Sequence, residues 1–218
     1  PTKHVLAINE KRDAQMAKIE TIERLRQIYK PAFGRSLEKE LKHLDSHCQK
    51  FISLAPFVAI ATQGVEGLGD LAPRGEEPAV ARVLNDRTVL IPDRPGNNRL
   101  DNYSNILENP KVSLLFLIPG VNETLRINGL GEIRDDPELL EMFTVNGKLP
   151  VTVLQVTVCE AYLHCAKALM RSKLWAPEAI VNRSVLPSMG QMIKDQTQST
   201  APIENQADME ARYEKVLY

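Results

Sequence analysis

The spacing of apolar and polar positions changes along the chain, and the changes predict helices near the ends and strands in the middle. Residues 9–30 are rich in charge and carry a narrow apolar stripe at Ile19, Ile22, Leu25 and Ile28, which is typical of an amphipathic helix. Ser36 suits the N-cap of a second helix. The apolar residues of that helix fall on one face: Leu37, Leu41, Leu44, Cys48, Phe51 and Leu54. The second helix should pack on another element, because packing supplies most of a helix's stability.

The middle of the chain is strand-like and rich in short turns. Six apolar or alternating runs predict strands, at residues 57–62, 79–84, 88–91, 111–118, 124–133 and 151–158. The segment between the first two runs contains several glycines and predicts turns. Since most of these strands are sequence neighbours, we expect an α+β fold built on an antiparallel sheet or a small Greek-key split barrel of six strands. Gly129 and Gly131, inside a strand, indicate a bulge, a bend or the close approach of a ligand.

The remaining helices are predicted from shorter patterns. Residues 99–108 are helical by content, with Leu100, Tyr103, Ile106 and Leu107 as candidates for the buried face. Pro137 opens a short helix that extends to Phe143. Residues 161–170 are predicted as the end of a strand followed by a helix, residues 196–201 as a loop, and residues 209–217 as a terminal helix.

Composition narrows the possible functions. The chain has 218 residues, a formal net charge of −1 and an ordinary globular composition, so overall charge does not indicate nucleic-acid or membrane-surface binding. No apolar run approaches the roughly 20 residues that span a bilayer, and the first residues lack the apolar core of a signal peptide. The three cysteines, Cys48, Cys159 and Cys165, form no CxxC pair, which favours reduced thiols in a cytoplasmic protein.

The richest local chemistry lies between the strand 88–91 and the helix 99–108. Asp93, Arg94, Asn97, Asn98 and Arg99 surround a Pro-Gly turn there. Exposed N–H groups at a helix N-terminus, flanked by arginine, suit a phosphate, which arginine can contact with two N–H groups at once. The same residues could equally form a solvated surface turn. Local chemistry alone leaves these two interpretations about even.

Other arginines and one tryptophan could contribute to the same site. Strand pairing could bring Arg74, Arg82 and Arg126 to one rim, which would suit a phosphate attached to a heteroaromatic ring. The alternative is ordinary surface charge paired with nearby glutamates. Arg171 and Trp175 are four residues apart and could cover a flat ring, or could instead anchor an interface.

Other common kinds of site have little support. His43 and His47 have the spacing of two metal ligands on a helix, but Leu44 stands where a zinc protease needs glutamate, and no metal site is predicted. His164 and Cys165 are adjacent on a predicted strand and point to opposite faces. The common nucleotide-binding and hydrolase motifs do not occur, and no residue stands out as catalytic.

Several motifs occur in a fixed order between residues 50 and 178. They are the strand 57–61, Asp70-Leu71-Ala72-Pro73-Arg74-Gly75-Glu76, the strand 88–91 with Pro92-Asp93-Arg94-Pro95-Gly96-Asn97-Asn98-Arg99-Leu100-Asp101, residues 105–110, 112–116 and 123–129, and residues 165–168 with Arg171-Ser172 and Leu174-Trp175. In these motifs the chain resembles the pyridoxamine 5′-phosphate oxidase-like, FMN-binding split-barrel family. The resemblance is to oxidase-related flavoproteins of unassigned substrate rather than to the vitamin-processing enzymes.

The resemblance implies a six-stranded antiparallel split β-barrel that forms a homodimer with two FMN molecules at the interface. The phosphate contacts that it implies are Arg74, Gly75, Arg82, Pro92, Asp93, Arg94, Asn97, Asn98 and Arg99. Thr124 and Arg126 would lie on the strand that approaches the flavin ring, while Arg171 and Trp175 would come from the partner chain. The implied organisation is a helical extension at 1–55, the FMN-binding domain at 56–178 and a C-terminal extension at 179–218.

Two functions follow from this resemblance. The first is an FMN-dependent oxidoreductase that acts on a small-molecule substrate, with a nicotinamide as the candidate electron donor. The oxidases themselves carry Ser-Arg-Lys where this chain has Asn97-Asn98-Arg99, which argues against pyridoxamine phosphate as the substrate. The second is a non-catalytic split-barrel module that binds or senses flavin or haem.

Overall fold

The computed structural model describes residues 18–218, and the chain divides between Glu38 and Lys39 into two units. The first unit contains α1, Ile22–Ile28, and α2, Arg35–Glu38. Thr21 caps α1 by accepting a hydrogen bond from the backbone N–H of Arg24 at 3.1 Å, and α1 buries no residue. The predicted helix at 9–30 is confirmed for Ile22–Ile28, while its part up to residue 17 lies outside the described residues.

The second unit, Lys39–Tyr218, contains a seven-stranded sheet and six α-helices within the described residues. The strands are β1 Phe57–Thr62, β2 Asp70–Gly75, β3 Arg82–Asn85, β4 Thr88–Asp93, β5 Lys111–Leu117, β6 Thr124–Arg134 and β7 Thr152–His164. The helices are α3 Ser46–Ile52, α4 Asp101–Glu108, α5 Pro137–Glu141, α6 Lys167–Ser172, α7 Met189–Thr197 and α8 Gln206–Glu214, with 3₁₀ turns at Pro177–Ala179 and Arg183–Val185.

The strands form one open sheet in the order β2-β1-β5-β6-β7-β4-β3, and every neighbouring pair is antiparallel. The α+β prediction is therefore confirmed, whereas the predicted count of six strands is wrong. The strand that was missed is β2, which contains Pro73 and Gly75 and directly follows the predicted turn at Gly64, Gly67 and Gly69. An edge strand tolerates both residues because one of its sides makes no ladder hydrogen bonds, and β2 lies at an edge.

The sheet curls, so that β2 approaches β4 although four strands lie between them in the pairing order. Arg74 of β2 lies 3.2 Å from the carboxylate of Asp93 at the end of β4. The apolar residues inside the curl come from β1, β4, β5, β6, β7, α3 and α4. Along β5 the buried residues alternate with outward-facing ones, as the half-buried strand pattern predicts.

The predicted helix from Ser36 to Leu54 is confirmed only at its two ends, in α2, Arg35–Glu38, and α3, Ser46–Ile52, because tertiary pairing interrupts it between them. The N–H of Leu41 donates to the carbonyl of Ala161 on β7 at 2.9 Å, and the N–H of Ala161 donates back to Leu41 at 2.7 Å. The helix α3 then begins after Asp45, whose carboxylate accepts from the N–H of Cys48 at 2.8 Å. This strand-like bridge competes with helix formation in a segment whose apolar spacing is helical. His43 and His47 consequently do not share a helix.

A bulge lies opposite the glycine-containing part of β6: Asn128 pairs with Glu160 and Gly129 with Val158, so Cys159 is the extra residue on β7. A Cβ atom on Gly129 would lie 2.2 Å from the carbonyl oxygen of Thr157. Of the three explanations that the sequence allows, a bulge with a close backbone approach is therefore the one observed.

The C-terminal region contains two helices. The predicted terminal helix at 209–217 is observed as α8, Gln206–Glu214, which buries Met209. The helix α7, Met189–Thr197, was not predicted, and it overlaps the start of the predicted loop at 196–201. None of the helices within residues 18–218 is long and apolar enough to cross a membrane. The predicted domain boundaries and the cytoplasmic location stay predictions.

We expect the three thiols to differ in reactivity. Cys159 and Cys165 are free and exposed, whereas Cys48 is free and buried. Burial, together with the nearby Asp45 carboxylate, raises the pKa of the Cys48 thiol to about 12, so little thiolate is present at pH 8. A colorimetric thiol reagent should therefore modify two cysteines in the native protein and a third only after denaturation. A variant that lacks Cys159 and Cys165 should be unreactive until it unfolds, and rapid native modification of that variant would contradict this assignment.

We also expect Gly129→Ala to be strongly destabilising, since its new methyl group would meet backbone rather than a flexible side chain. Overpacking costs about 1–3 kcal/mol, and a backbone clash belongs at the upper end of that range. Gly69→Ala is a matched control, because its Cβ would lie 3.7 Å from the carbonyl oxygen of Thr62, an ordinary contact. Urea unfolding of the two variants measures the difference, and equal stabilities would refute the close approach.

Candidate functional site

A cavity of about 600 Å³ lies where β2, the end of β4 and the start of α4 meet. The loop of residues 94–100, between β4 and α4, forms one wall. The first turn of α4, Asp101 to Tyr103, forms another, and residues 72–76 form a third. A volume of this size lies within the range of about 300–1,000 Å³ that is usual for small-molecule sites.

The loop presents its backbone in an unusual conformation. Asn98 and Leu100 both have left-handed backbone, with φ of 57° and 58°. Asparagine tolerates this conformation well, but for leucine it costs about 1–2 kcal/mol. The side-chain oxygen of Asn97 stabilises the turn by accepting from the backbone N–H of Arg99 at 3.1 Å.

The N-terminus of α4 is open toward the cavity. Leu100 occupies the N-cap position, where an apolar side chain cannot cap the helix, and no side-chain cap bond is made. The N–H groups of a first helical turn have no partner within the helix and carry partial positive charge. Because Asp101, Asn102 and Tyr103 line the cavity, this end of α4 can accept an anion.

Three arginines of the cavity wall pair with three carboxylates, and the pairs differ in burial. The Nε and Nη2 atoms of Arg94 donate to the two carboxylate oxygens of Glu76 at 2.9 and 2.6 Å. Nη2 also donates to the carbonyl of Phe143 at 2.7 Å, and only 13% of the Arg94 side chain is exposed. Arg74 pairs with Asp93 at 3.2 Å and is half-buried.

The third pair is Arg99 with Asp101, at 2.8 Å, and it is largely exposed: 73% of the Arg99 side chain is accessible to solvent. Exposed ion pairs contribute only about 0–1 kcal/mol, so this guanidinium can exchange Asp101 for another anion at little cost. Arg99 is therefore the most available of the three cations.

One nitrogen of Arg94 is left without a partner. Its Nη1 atom is buried and makes no hydrogen bond within the described residues. An unpaired buried donor is unfavourable, and a ligand oxygen would satisfy it. The ring of Tyr218 covers the same guanidinium at 5.3 Å, so the C-terminal segment contributes to the surroundings of Arg94.

Asp93 and Tyr103 form a buried polar pair beside Arg74. Burial raises the pKa of Asp93, while the charge of Arg74 and hydrogen bonds from Arg74 and Tyr103 act in the opposite direction. Burial and the charge of Asp93 raise the pKa of Tyr103 to about 12. The Tyr103 hydroxyl therefore stays protonated at neutral pH.

Polar side chains of α4 hold the helix against the β1–β2 hairpin. The amide of Asn102, which is buried, donates to the hydroxyl of Thr62 at 2.8 Å. The amide of Asn105 donates to Asp70 at 2.7 Å and to Thr62 at 3.1 Å. Residues three apart lie on the same helix face, so both amides reach one point on the sheet.

The predicted buried face of α4 is correct only in part. Tyr103 and Ile106 are buried as predicted, but Leu100 and Leu107 are exposed. Apolar spacing missed Asn102 because a buried amide with satisfied hydrogen bonds has no apolar signature. A sequence signal for Asn102 was nevertheless present, because it lies three residues before Asn105 and so shares a helix face with that second asparagine.

Eight of the thirteen predicted cofactor-binding residues line the cavity. They are Arg74, Gly75, Pro92, Asp93, Arg94, Asn97, Asn98 and Arg99. Glu76 and Tyr103, which sequence reasoning did not select, also line it. Glu76 is the last residue of the motif Asp70–Glu76, but its pairing with Arg94 depends on the approach of β2 to β4, which the sequence does not show.

The other five predicted residues lie outside this cavity. Arg82 is exposed on β3, with its guanidinium 5.2 Å from the centre of the Phe143 ring. Thr124 is buried at the start of β6, and Arg126 follows on that strand. Arg171 is exposed in the last turn of α6, and the indole N–H of Trp175 donates to the carbonyl of Val121 at 2.9 Å. Their cofactor roles stay predictions.

Within residues 18–218, no group of three or more histidine, cysteine, aspartate or glutamate side chains could hold a metal ion.

Sequence comparison identifies the family to which these motifs belong. Residues 44–165 match the sequence model of a family described as pyridoxamine 5′-phosphate oxidase. The match covers more than half of the chain and includes β1 to β7 and the whole cavity wall. No curated protein matches the chain.

The solved structures that match this chain are distant from it. HupZ from Group A Streptococcus is 16% identical, with a TM-score of 0.46 over 55% of this chain and 93% of that one. An FMN-binding protein from Syntrophomonas wolfei is 12% identical, with a TM-score of 0.42 over 54% and 83%. An FAD-binding protein from Mycobacterium smegmatis is 17% identical, with a TM-score of 0.41 over 57% and 97%.

The buried tyrosine of the cavity predicts how stability depends on alkaline pH. The pKa of Tyr103 is raised to about 12 in the folded protein, whereas a tyrosine in the unfolded chain titrates near 10. Its contribution to stability is therefore complete below pH of about 10 and is lost as the pH rises toward 12. Between these values, the wild-type protein should lose free energy of unfolding faster than Tyr103→Phe.

Urea unfolding at a series of pH values from 9 upward measures this effect. Tyr213→Phe, at an exposed position, is the matched control and should follow the wild-type curve. Parallel curves for the wild-type protein and Tyr103→Phe would show that the tyrosine is not buried as described.

Proposed function

The chain belongs to the pyridoxamine 5′-phosphate oxidase family, and from this we propose that it is a flavoprotein whose cavity holds the phosphate of FMN. The observation that carries the proposal is the open N-terminus of α4, which faces a 600 Å³ cavity bordered by Arg99 and Arg74. FMN is the cofactor that the family resemblance implies. The curl of the sheet, with β2 near β4, supports the split-barrel interpretation.

The residues of the cavity fit an anionic group. The first-turn N–H groups of α4 and the exposed guanidinium of Arg99 would hold the phosphate oxygens. The side chains of Asn97 and Asn98 would shape the turn and add amide donors. Arg74 would contribute a second positive charge. Arg94 would serve mainly as a wall, because Glu76 and Phe143 already occupy most of its donors.

FMN would supply the redox chemistry, since its ring exchanges electrons and hydride with a substrate. The protein then needs to bind the flavin, orient it and leave one face of the ring accessible. We propose oxidoreductase activity on a small-molecule substrate, with a nicotinamide as a candidate electron donor. No acid or base of the cavity must take part, and the carboxylate of Asp93 is paired with Arg74.

A homodimer would bring the remaining predicted residues to the flavin. The outer face of β1, β2, β5 and β6 exposes large apolar side chains, among them Phe57, Leu71, Leu115 and Leu130. Contiguous exposed apolar surface is typical of a protein interface. Arg126 lies on this face beside Leu115, in the β5–β6 register. A second copy that covered the face could place its own Arg126, Arg171 or Trp175 near this cavity.

A non-catalytic flavin- or haem-binding module is the second candidate function. The observation that favours it is the pairing of the charged side chains of the cavity, which leaves no free acid or base beside a substrate. The two functions differ in turnover. An oxidoreductase passes electrons from an anaerobic nicotinamide donor to an acceptor repeatedly, whereas a binding module does not.

The absorption spectrum of the purified protein tests the shared proposal. We expect a yellow protein, and we expect the double variant Asn97→Ala/Arg99→Ala to lose FMN while it keeps its fold. Charge-assisted hydrogen bonds contribute about 1.5–3 kcal/mol each, so the double change should weaken FMN binding by about two to four orders of magnitude. Arg87→Ala, on the exposed β3–β4 turn, is the matched control and should bind FMN normally.

A colourless protein that takes up no added FMN would overturn the proposal. Circular dichroism of each variant separates loss of the cofactor from loss of the fold. Oxidation of a nicotinamide by the yellow protein would favour the oxidoreductase over the binding module.

A further inference from the structure

The carboxylate of Asp101 already occupies the most available cation of the cavity wall. Asp101 is the first residue of α4 and lines the cavity, and its Oδ2 atom accepts a hydrogen bond from Nε of Arg99 at 2.8 Å. This hydrogen bond and the charge of Asp101 raise the pKa of Arg99. A phosphate that contacts the same Nε atom must therefore displace the Asp101 carboxylate.

The acids of the cavity wall differ in how readily a ligand can reach them. Among the described residues that line the cavity, acids and arginines are equal in number: Glu76, Asp93 and Asp101 against Arg74, Arg94 and Arg99. The side chains of Glu76 and Asp93 are largely buried against their arginine partners, whereas 42% of the Asp101 side chain is exposed. Asp101 is therefore the acid that an incoming anion meets.

Asp101 also shares the positive end of α4 with the proposed phosphate. A negative side chain in the first turn of a helix interacts favourably with the partial positive charge of the free N–H groups there. The phosphate would use the same N–H groups, so the two anions would lie close together and repel each other. Phosphate binding thus weakens a favourable interaction of Asp101 and adds an unfavourable one.

We infer that Asp101 is an internal competitor for the phosphate of FMN. With the cavity empty, its carboxylate holds Arg99 and stabilises the start of α4. With the cavity filled, Arg99 exchanges Asp101 for the phosphate, and the displaced carboxylate limits the affinity. This inference rests on the proposed function, since it takes the phosphate of FMN to lie at the start of α4.

The competition has a consequence for how the cofactor is held. Each contact that the phosphate gains with Arg99 is offset by the contact that Asp101 loses, so the net gain in binding is small. A flavin bound in this way exchanges with flavin in solution instead of staying permanently attached. Asp101 thus sets the exchange of FMN without touching the flavin ring.

Asp101→Asn tests the inference, because competition and a purely structural role predict different results. Asparagine has nearly the same shape but no charge, so it frees Arg99 and removes the repulsion. We expect the flavin-free variant to bind FMN about three- to tenfold more tightly than the wild-type protein, since an exposed ion pair and a charge at a helix end each have a modest effect. Titration followed by the quenching of flavin fluorescence measures the affinities of the full chain.

The stability of the flavin-free variant separates the two roles. Loss of a favourable charge at the start of α4 should leave its free energy of unfolding in urea equal to that of the wild-type protein or lower. Tighter FMN binding without a gain in stability supports competition. Equal or weaker FMN binding by Asp101→Asn would show a purely structural role and would overturn the inference.

Riboflavin and a matched variant locate the effect at the phosphate. Riboflavin lacks the phosphate, so Asp101→Asn and the wild-type protein should bind it equally. Tightening of riboflavin binding by the same factor as FMN binding would contradict the competition. Asp86→Asn removes an exposed carboxylate at the other end of β4, and it should bind FMN as the wild-type protein does.

A double-mutant cycle tests the exchange of Arg99 itself. In an Arg99→Ala background, Asp101→Asn should raise the affinity for FMN by a smaller factor, because only the repulsion is then removed. The same factor in both backgrounds would contradict the exchange.

Failure of this inference is distinguishable from failure of the proposed function. If neither the wild-type protein nor Asp101→Asn takes up FMN, both are overturned. If the wild-type protein binds FMN and Asp101→Asn binds it no more tightly, the flavin site stands and the internal competitor is overturned.

Discussion

The contact between β2 and β4 is the constraint on which the rest of this structure depends. In the sheet order β2 is one edge strand and β4 is next to the other edge, and two ion pairs, Arg74 with Asp93 and Arg94 with Glu76, join the ends of these strands across the gap. Burying such pairs removes charges from water, which is costly unless the geometry is good. The two-point contact of Arg94 with Glu76, with a third bond to Phe143, meets that condition. Loss of one partner would leave a buried charge where the sheet curls back on itself.

The same ion pairs determine which groups of the cavity can meet a ligand. Arg94 forms a buried ion pair with Glu76, and Arg74 is half-buried and paired with Asp93. Arg99 is paired only with Asp101, in an exposed ion pair. Net charge in the cavity wall is therefore less positive than its arginine content indicates. Affinity for a phosphate would come largely from backbone N–H groups at the start of α4, assisted by Arg99. The backbone conformation of Asn98 and Leu100 directs that helix end toward the cavity, so loop geometry matters as much as charge.

Much of the fold followed from local patterns. Strands with alternating burial, such as β5, and the long strand β6 were predicted within a few residues, because period-two alternation reflects a sheet with one buried face. The prediction failed where pairing partners override propensity. An edge position made β2 a strand despite its proline and glycine, and a backbone bridge to Ala161 interrupted the helical spacing around Leu41. Neither partner is visible from the neighbouring sequence.

In the candidate site too, some features follow from the local sequence and others depend on tertiary contacts. By itself the sequence determined the composition of the loop between β4 and α4, including its turn, its asparagines and Arg99, since those residues are contiguous and their chemistry is local. Only the tertiary structure decided which arginines remain available, because the acids that neutralise Arg94 and Arg74 come from other parts of the chain. It also separated Arg126 from the cavity and placed it beside Tyr162. The position of each charged residue can be read from the sequence, but whether its charge is paired, buried or free depends on the strands that the fold brings next to it.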